Sequence, residues 1–224
     1  LLAQIVADFA NDYFDFRYGA DTPGRLGPTR AVATGLISPR ALLGATLGAL
    51  ARSAAAGLGL VYYGGWGLVV VGAASLLGAL AYTPLAYYGL GEIFALGFFG
   101  YVAVLGTFYV ETLAWPPPPA AWFAATACGL LAANILLVNN IRDIATDTLA
   151  RKRTLAARFG RKFGQGFYAF NVGVVIAVTL VFFRIERSLW FVPALGVTIP
   201  LGIFFIRTLG RIPDGDGPRF NRLL

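Results

Sequence analysis

The sequence has no histidine and no methionine, and Cys128 is its one cysteine. Without histidine, the usual transition-metal ligand and the usual general base are both missing. A lone cysteine cannot form an intrachain disulfide. Nucleophilic catalysis by a His-activated serine or cysteine is therefore excluded, and any metal has to be bound through oxygen. Charge is scarce too: 13% of the 224 residues are charged, against roughly 25% in an average soluble domain. Strand-like alternation is absent, which argues against a transmembrane β-barrel. Position 1 is not methionine, and "LLAQIVADFA" reads as mid-helix from its first residue. The chain is accordingly expected to be part of a longer one, with helices missing at its ends.

What is present is apolar. Hydrophobic residues make up 58% of the chain and the mean hydropathy is +0.70. Runs of about 20 apolar residues suffice to cross a hydrocarbon core of about 30 Å as helices. Breaking the sequence at Pro/Gly and charged clusters gives seven such segments, at 1–15, 41–62, 67–83, 92–111, 120–141, 166–183 and 188–206. These predict an all-α polytopic transmembrane bundle, one domain over 1–224. Long basic connectors alternate with short ones, and the two kinds fall on opposite sides. One side collects Arg17, Arg25, Arg30, Arg40, the seven basic residues from Arg142 to Lys162, and Arg207, Arg211, Arg219 and Arg222, fifteen of the eighteen. The positive-inside rule makes that side cytoplasmic, with the plasma membrane as the expected location. The net charge of +7 is thereby read as topology signalling beside a lipid bilayer and not as a nucleic-acid footprint. Arg52 falls inside a span, and its partner is open.

Two acidic clusters interrupt this pattern. At 100° per residue, Asp8, Asn11, Asp12 and Asp15 lie within an arc of about 100° on one helix face. Asn139, Asn140, Asp143 and Asp147 fit a similar arc. An even number of crossings separates the two clusters, so both belong at the same membrane face and can oppose each other across a cavity. Each lies toward the C-terminal end of its span, where the helix dipole disfavours carboxylates, and the local field calls for a cation. Mg²⁺ suits hard carboxylate and amide oxygens, keeps several waters, and is commonly completed by substrate phosphates. Calcium fits the same donor types, but nothing resembles a dedicated calcium loop. Solvated helix ends or interhelical hydrogen bonds are the alternative reading of either cluster taken alone.

Basic residues trail both clusters: Arg25 and Arg30 after the first, Lys152, Arg153 and Arg158 after the second. A diphosphate bridged to carboxylates by Mg²⁺ needs such donors for its remaining oxygens, and arginine supplies them in bidentate fashion. An apolar cavity behind a polar mouth would take a long hydrocarbon tail. Tyr13, Phe14, Tyr82, Tyr87 and Tyr88 near that mouth can stabilise an allylic cation through their π faces, or belong to an interfacial aromatic belt. Glu92 falls on the same side, either orienting an aromatic acceptor or serving as an acidic helix N-terminal residue.

The stretches "FANDYFDFRYGAD", "RLGPTRAVATGLIS", "YTPLAYYGLGE", "FGYVAVLGTFYV", "ATACGLLAANILLVNNIRDIATD" and "KRTLAARFG" together resemble the UbiA-type intramembrane aromatic prenyltransferases. Within that family the resemblance is to the branch that prenylates 1,4-dihydroxy-2-naphthoate in menaquinone synthesis. It covers most of the chain in the family's order. It implies a nine-helix bundle with a central cavity open to the membrane, of which these spans correspond to helices two to eight. It implies transfer of a polyprenyl group from polyprenyl diphosphate to the naphthoate, with decarboxylation, and Mg²⁺ as cofactor. The metal would be held by Asn11, Asp12, Asp15, Asp143 and Asp147, with Asn140 beside them, and Asp12, Asp15, Asp143 and Asp147 would be the catalytic carboxylates. Arg25, Arg30, Lys152 and Arg153 would contact the diphosphate, with Arg158 close behind. Tyr13, Tyr82, Tyr87 and Glu92 are the candidates for the acceptor or the prenyl cation. Arg151 departs from the family pattern where a glycine commonly precedes "KRT", and Asp8 where asparagine is common.

Three rivals differ in what they require. A sister prenyltransferase would use 4-hydroxybenzoate, homogentisate or a chlorophyllide as acceptor with the same aspartate motifs. An aspartyl intramembrane protease expects one aspartate per helix and no metal. An ion transporter expects its charges near the midplane and leaves the basic loops unexplained.

Overall fold

Residues 2–20, 26–186 and 191–224 are described by a computed structural model. Each of the seven expected segments is a long helix there: α1 (Leu2–Arg17), α2 (Pro39–Gly64), α3 (Gly67–Ala86), the run α4 (Gly91–Ala95), π-helix (Leu96–Leu105) and α5 (Gly106–Thr112), then α6 (Pro119–Arg142), α9 (Arg161–Glu186) and α10 (Phe191–Arg211). Short helices α7 (Ile144–Leu149), α8 (Leu155–Phe159) and α11 (Gly217–Asn221) lie in the connectors. Among the described residues there is no strand. Five of the helical runs are long and apolar enough to cross a membrane: Pro39–Gly64, Gly67–Ala86, Gly91–Thr112, Pro119–Arg142 and Arg161–Ile185. The chain is a multi-pass membrane protein. With 16 residues, α1 is shorter than the roughly 20 that a perpendicular span needs.

Local chemistry sets the boundaries. Ser38 caps α2 by accepting from the Ala41 amide, with Pro39 in the first turn, where its missing N–H costs nothing. Helix α6 also begins on a proline, Pro119, but Pro118 before it gives no side-chain cap. Thr154 caps α8 through the Ala157 amide. The "TPLA" segment, expected in a turn, continues α3 through Pro84 to Ala86, and the turn itself is 87–90.

Helix α6 packs between the π-helix and α9, while α1 packs on α2 and α3. Gly100 of the π-helix meets Gly129 of α6 so closely that a Cβ on Gly100 would stand 2.5 Å from the Ala125 carbonyl oxygen and 3.0 Å from Gly129 Cα. Small residues at such crossings let membrane helices approach where lipid supplies no hydrophobic drive. One buried cluster joins Leu137, Ile141 and Ala156 to Leu209, Ile212 and Phe220, and a smaller one joins Val6, Ala49 and Ala79. These two packings bring the C-terminal ends of α1, α3 and α6 to one end of the bundle. A ten-residue π-helix is uncommon and π turns concentrate at functional sites; this one lines the apolar cavities described below.

Candidate active site

The ends of α1 and α6 enclose a cavity of about 460 Å³, walled by Asp8, Asn11 and Asp15 on one side and by Asn139, Asn140, Asp143 and Asp147 on the other. Arg30, Arg142, Lys152 and Tyr82, with Thr29 and Thr146, complete its polar lining. The two acidic clusters thus oppose each other across the cavity, except that Asp12 is not on its lining. One feature differs from the expectation of a single continuous helix: α6 ends at Arg142, and Asp143, with φ −96° and ψ 12°, separates it from α7. The Asp147 amide still bonds to the Asp143 carbonyl at 2.8 Å, so the two carboxylates keep their one-turn separation.

In the first cluster, Asp15 is buried, accepting from the Tyr87 hydroxyl at 3.0 Å and from Arg30 Nη2 at 3.3 Å. Arg30 Nε also stands 3.7 Å from Asp12 Oδ1. With its amide turned to satisfy both neighbours, Asn11 donates to Asp15 Oδ2 at 3.2 Å and accepts from Arg30 Nη2 at 2.6 Å. Arg30 therefore gathers three residues of one helix face from the connector that follows it.

The second cluster has its own cations. Arg142, buried, grips Asp143 with Nε at 2.7 Å and Nη2 at 2.6 Å, while Nη1 donates to Asn221 Oδ1 at 2.6 Å. Asp147 accepts from Thr154 Oγ1 at 3.2 Å, and Lys152 Nζ lies 3.9 Å from its other oxygen. Burial pushes the Asp147 carboxyl up to about 6; Lys152 opposes the shift, the charge of Asp143 adds to it, the Thr154 bond opposes it and the charge of Asp15 adds again. The ammonium of Lys152 is also 5.3 Å from the Tyr87 ring centroid.

Behind the polar cavity, an apolar one of about 320 Å³ shares Asp8, Asn11 and Tyr82 with it and continues along Gly78, Phe98 and Val102. A third, of about 510 Å³, shares Val102 and continues past Val71, Leu105 and Tyr109. A polar mouth opening on an apolar trough suits an amphiphile with an anionic head.

The other candidate residues are placed as follows. Arg25 lies outside the described residues. Tyr82 lines both the polar and the first apolar cavity. Tyr87 gives its hydroxyl to Asp15 and one region of its ring to Lys152. Tyr13 packs edge-on against Phe14, with centroids 5.7 Å apart, and does not line the polar cavity. Arg153 and Arg158 are exposed and likewise off that lining; the Arg153 amide ties the loop to the Tyr87 carbonyl at 2.9 Å, and the Arg158 guanidinium sits 5.7 Å from the Phe159 centroid. Glu92 is buried behind the wall and reaches the cavity only through Asn140. Arg52 is exposed on α2. Arg142 is the site residue that sequence reasoning counted only as a topology charge, and its adjacency to Asp143 was the available signal. Nothing in the sequence pointed to Asn221.

Among the described residues, no three carboxylate, histidine or cysteine side chains converge closely enough to hold an ion alone. That fits Mg²⁺ nonetheless, since this ion takes one or two carboxylates and completes its shell with water and substrate phosphate. The cavity offers carboxylate and amide oxygens only on two facing walls, with cations beside each.

Comparison with known proteins agrees with this chemistry. The model of the UbiA prenyltransferase family matches residues 1–222. Over 200 residues the chain is 35% identical to the 1,4-dihydroxy-2-naphthoate octaprenyltransferase of Escherichia coli, covering 84% of this chain and 64% of that protein. It is 38% identical over 226 residues to the protein of that name from Mycobacterium tuberculosis, covering 96% and 72%. Similarity to the 2-carboxy-1,4-naphthoquinone phytyltransferase of Synechocystis is 26% identity, covering 92% and 67%. The chain thus spans roughly two thirds of the length of these relatives. No solved structure matches it.

Proposed function

The chain belongs to the UbiA prenyltransferase family, and on that premise we propose that it transfers a polyprenyl group from polyprenyl diphosphate to 1,4-dihydroxy-2-naphthoate, in a Mg²⁺-dependent reaction of menaquinone synthesis. The allylic C–O bond breaks with its electron pair leaving on diphosphate, the ring carbon bonds to the prenyl carbon, and the ring carboxylate departs as CO₂, giving demethylmenaquinol. The observation that carries this reading is the meeting of two acidic walls and their flanking cations at the mouth of an apolar trough. The acceptor is the one after which the similar Escherichia coli and Mycobacterium tuberculosis proteins are named.

Asn11, Asp12, Asp15, Asn140, Asp143 and Asp147 would hold Mg²⁺, which when bound neutralises charge on the diphosphate as it leaves. Arg30 and Lys152 line the cavity and donate to the diphosphate oxygens; Arg153 and Arg158 add positive field at the rim, and Arg25 belongs to the same loop as Arg30. Arg30 pairs with Asp12 and Asp15, and Lys152 stands beside Asp147, so binding would exchange partners: these cations turn to phosphate and the carboxylates to the metal. Tyr82 lines both cavities where head and tail would meet, and its ring would stabilise positive charge developing on the allylic carbon. The tail lies along the trough beside Phe98 and Val102. By the positive-inside rule the loops carrying Arg30 and Lys152 would face the cytoplasm, and the membrane we propose is the plasma membrane.

The test is prenyl transfer to 1,4-dihydroxy-2-naphthoate by the protein in nanodiscs, beside Asp15→Asn and Asp143→Asn. Product that disappears with EDTA and in both variants is the expected result. Full activity in the variants would refute the two-walled site, while product only from 4-hydroxybenzoate or homogentisate would refute the acceptor.

A further inference from the structure

Glu92 is the second residue of α4, is 3% exposed, and sits behind the cavity wall. Its Oε1 accepts from Asn140 Nδ2 at 2.9 Å, and its Oε2 is buried with no hydrogen-bond partner. A carboxylate held in apolar surroundings with one oxygen unsatisfied is costly. An apolar side chain there would pack without that cost, so the group is best explained by what it does to its one side-chain partner.

That partner has a two-faced side chain. An asparagine amide carries a donor nitrogen and an acceptor oxygen on opposite sides. Facing Glu92, Asn140 turns its nitrogen inward, with Nδ2 donating to Glu92 Oε1. Its oxygen is left for the cavity, whose wall Asn140 forms. The close Gly100–Gly129 crossing fixes the helix carrying Glu92 against the helix carrying Asn140, so the pair is held by backbone packing. We propose that Glu92 is a positioning residue that locks the Asn140 amide with its oxygen toward the cavity, making it a ligand for a hard divalent cation. The logic is that of outer carboxylates that orient metal-bound histidines, transferred to an amide. The inference rests on the reading of the cavity as a Mg²⁺–diphosphate site.

The test reads binding without turnover. Mn²⁺ is titrated into the protein in detergent with inorganic diphosphate and no acceptor, and free Mn²⁺ is counted by electron paramagnetic resonance. Glu92→Leu frees the amide to rotate, and binding is expected to weaken by about 10- to 100-fold, the usual cost of losing an orienting partner. Glu92→Gln is isosteric and keeps a side-chain oxygen that accepts from Asn140 Nδ2, so it is expected to hold the amide and to restore most of the binding lost in Glu92→Leu. It also carries the test should the leucine variant fail to fold. Unchanged binding in a folded Glu92→Leu protein, with Mn²⁺ bound by the parent, overturns the role of Glu92 and leaves the metal site standing. Binding in a folded Glu92→Gln protein as weak as that expected for Glu92→Leu also overturns it, since the acceptor that holds the amide is still present. A parent that binds no Mn²⁺ overturns both this inference and the metal site beneath it.

Discussion

Arg142 gives the sharpest test of how the site is held together. The perturbation is Arg142→Leu, which keeps much of the volume and removes the charge. In the structure the guanidinium is 5% exposed and makes three charge-assisted or polar bonds, two to Asp143 at 2.7 and 2.6 Å and one to Asn221 at 2.6 Å. Breaking a buried ion pair by deleting one partner costs about 3–5 kcal/mol, because the other charge is left uncompensated. Asp143 keeps 17% of its side-chain surface exposed and borders the cavity, so water partly replaces the arginine and the expected loss falls to about 2–3 kcal/mol. Removing both charges with Arg142→Leu/Asp143→Leu should recover most of that loss, since no unpaired charge remains. Asn221→Ala should cost about 1–2 kcal/mol alone. Because it shares the broken bond, it should cost less in the Arg142→Leu background. Denaturant unfolding in mixed micelles, followed by far-UV circular dichroism, measures all four. A single variant within about 0.5 kcal/mol of the parent, or a double variant no more stable than the single one, would refute the account of Arg142 as the buried counter-charge of Asp143.

Three further outcomes follow from other parts of the structure. Because burial raises the folded-state carboxyl of Asp147 to about 6, its contribution to stability is present at low pH and lost as pH rises through about 6; divalent-cation binding should show the opposite trend, weakening as pH falls below 6, and calorimetric titration across pH 5 to 8 should find that trend flattened in Asp147→Asn. Val102 stands between the two apolar cavities, so Val102→Trp should lower kcat/KM for a long polyprenyl donor by about tenfold or more while sparing a three-isoprene donor; equal losses for both donors would show that the tail takes another path. Arg151 adopts φ 57°, a left-handed conformation that costs a side chain about 1–2 kcal/mol, and Arg151→Gly should therefore raise thermal stability by up to about 1 kcal/mol after the entropy of glycine is deducted.

The Arg151 backbone also explains why the family pattern, with glycine before "KRT", could be noticed in the sequence but not interpreted. A left-handed residue leaves no trace in hydropathy or charge. The spans were legible because lipid imposes a single rule on every one of them, about 20 apolar residues with the backbone satisfied internally. Their ends were less so. Pro84 suggested a turn, yet α3 runs through it to Ala86, since a proline in the last turn gives up only one backbone bond. The π-helix was invisible for a related reason: "LGFFGYVAVL" is apolar all round, and a segment without a polar face carries no periodicity from which its pitch can be read.

The site divides along the same line. Asp8, Asn11, Asp15, Asn140, Asp143 and Asp147 could be grouped because helical spacing fixes which residues share a face, and crossing parity fixes which faces share a membrane side. Pairing between walls and loops obeys no such period. Arg30 lies 15 residues from Asp15 and Asn221 lies 79 from Arg142, separations set by how connectors fold back over the bundle. Charge balance could nevertheless have narrowed the choice. Two buried carboxylates at one cavity mouth, Asp15 and Asp147, with half-buried Asp143 beside them, are tolerable only if cations come to them, and the residues able to do so are those in the connectors next to the helix ends. That rule narrows the cations to the connector residues, Arg25, Arg30, Arg142, Lys152, Arg153 and Arg158 among them; the structure then places Arg30, Arg142 and Lys152 on the cavity wall and leaves Arg153 and Arg158 exposed. A basic residue beside an aspartate at the end of a membrane helix is thus more informative as a counter-charge than as a count toward topology.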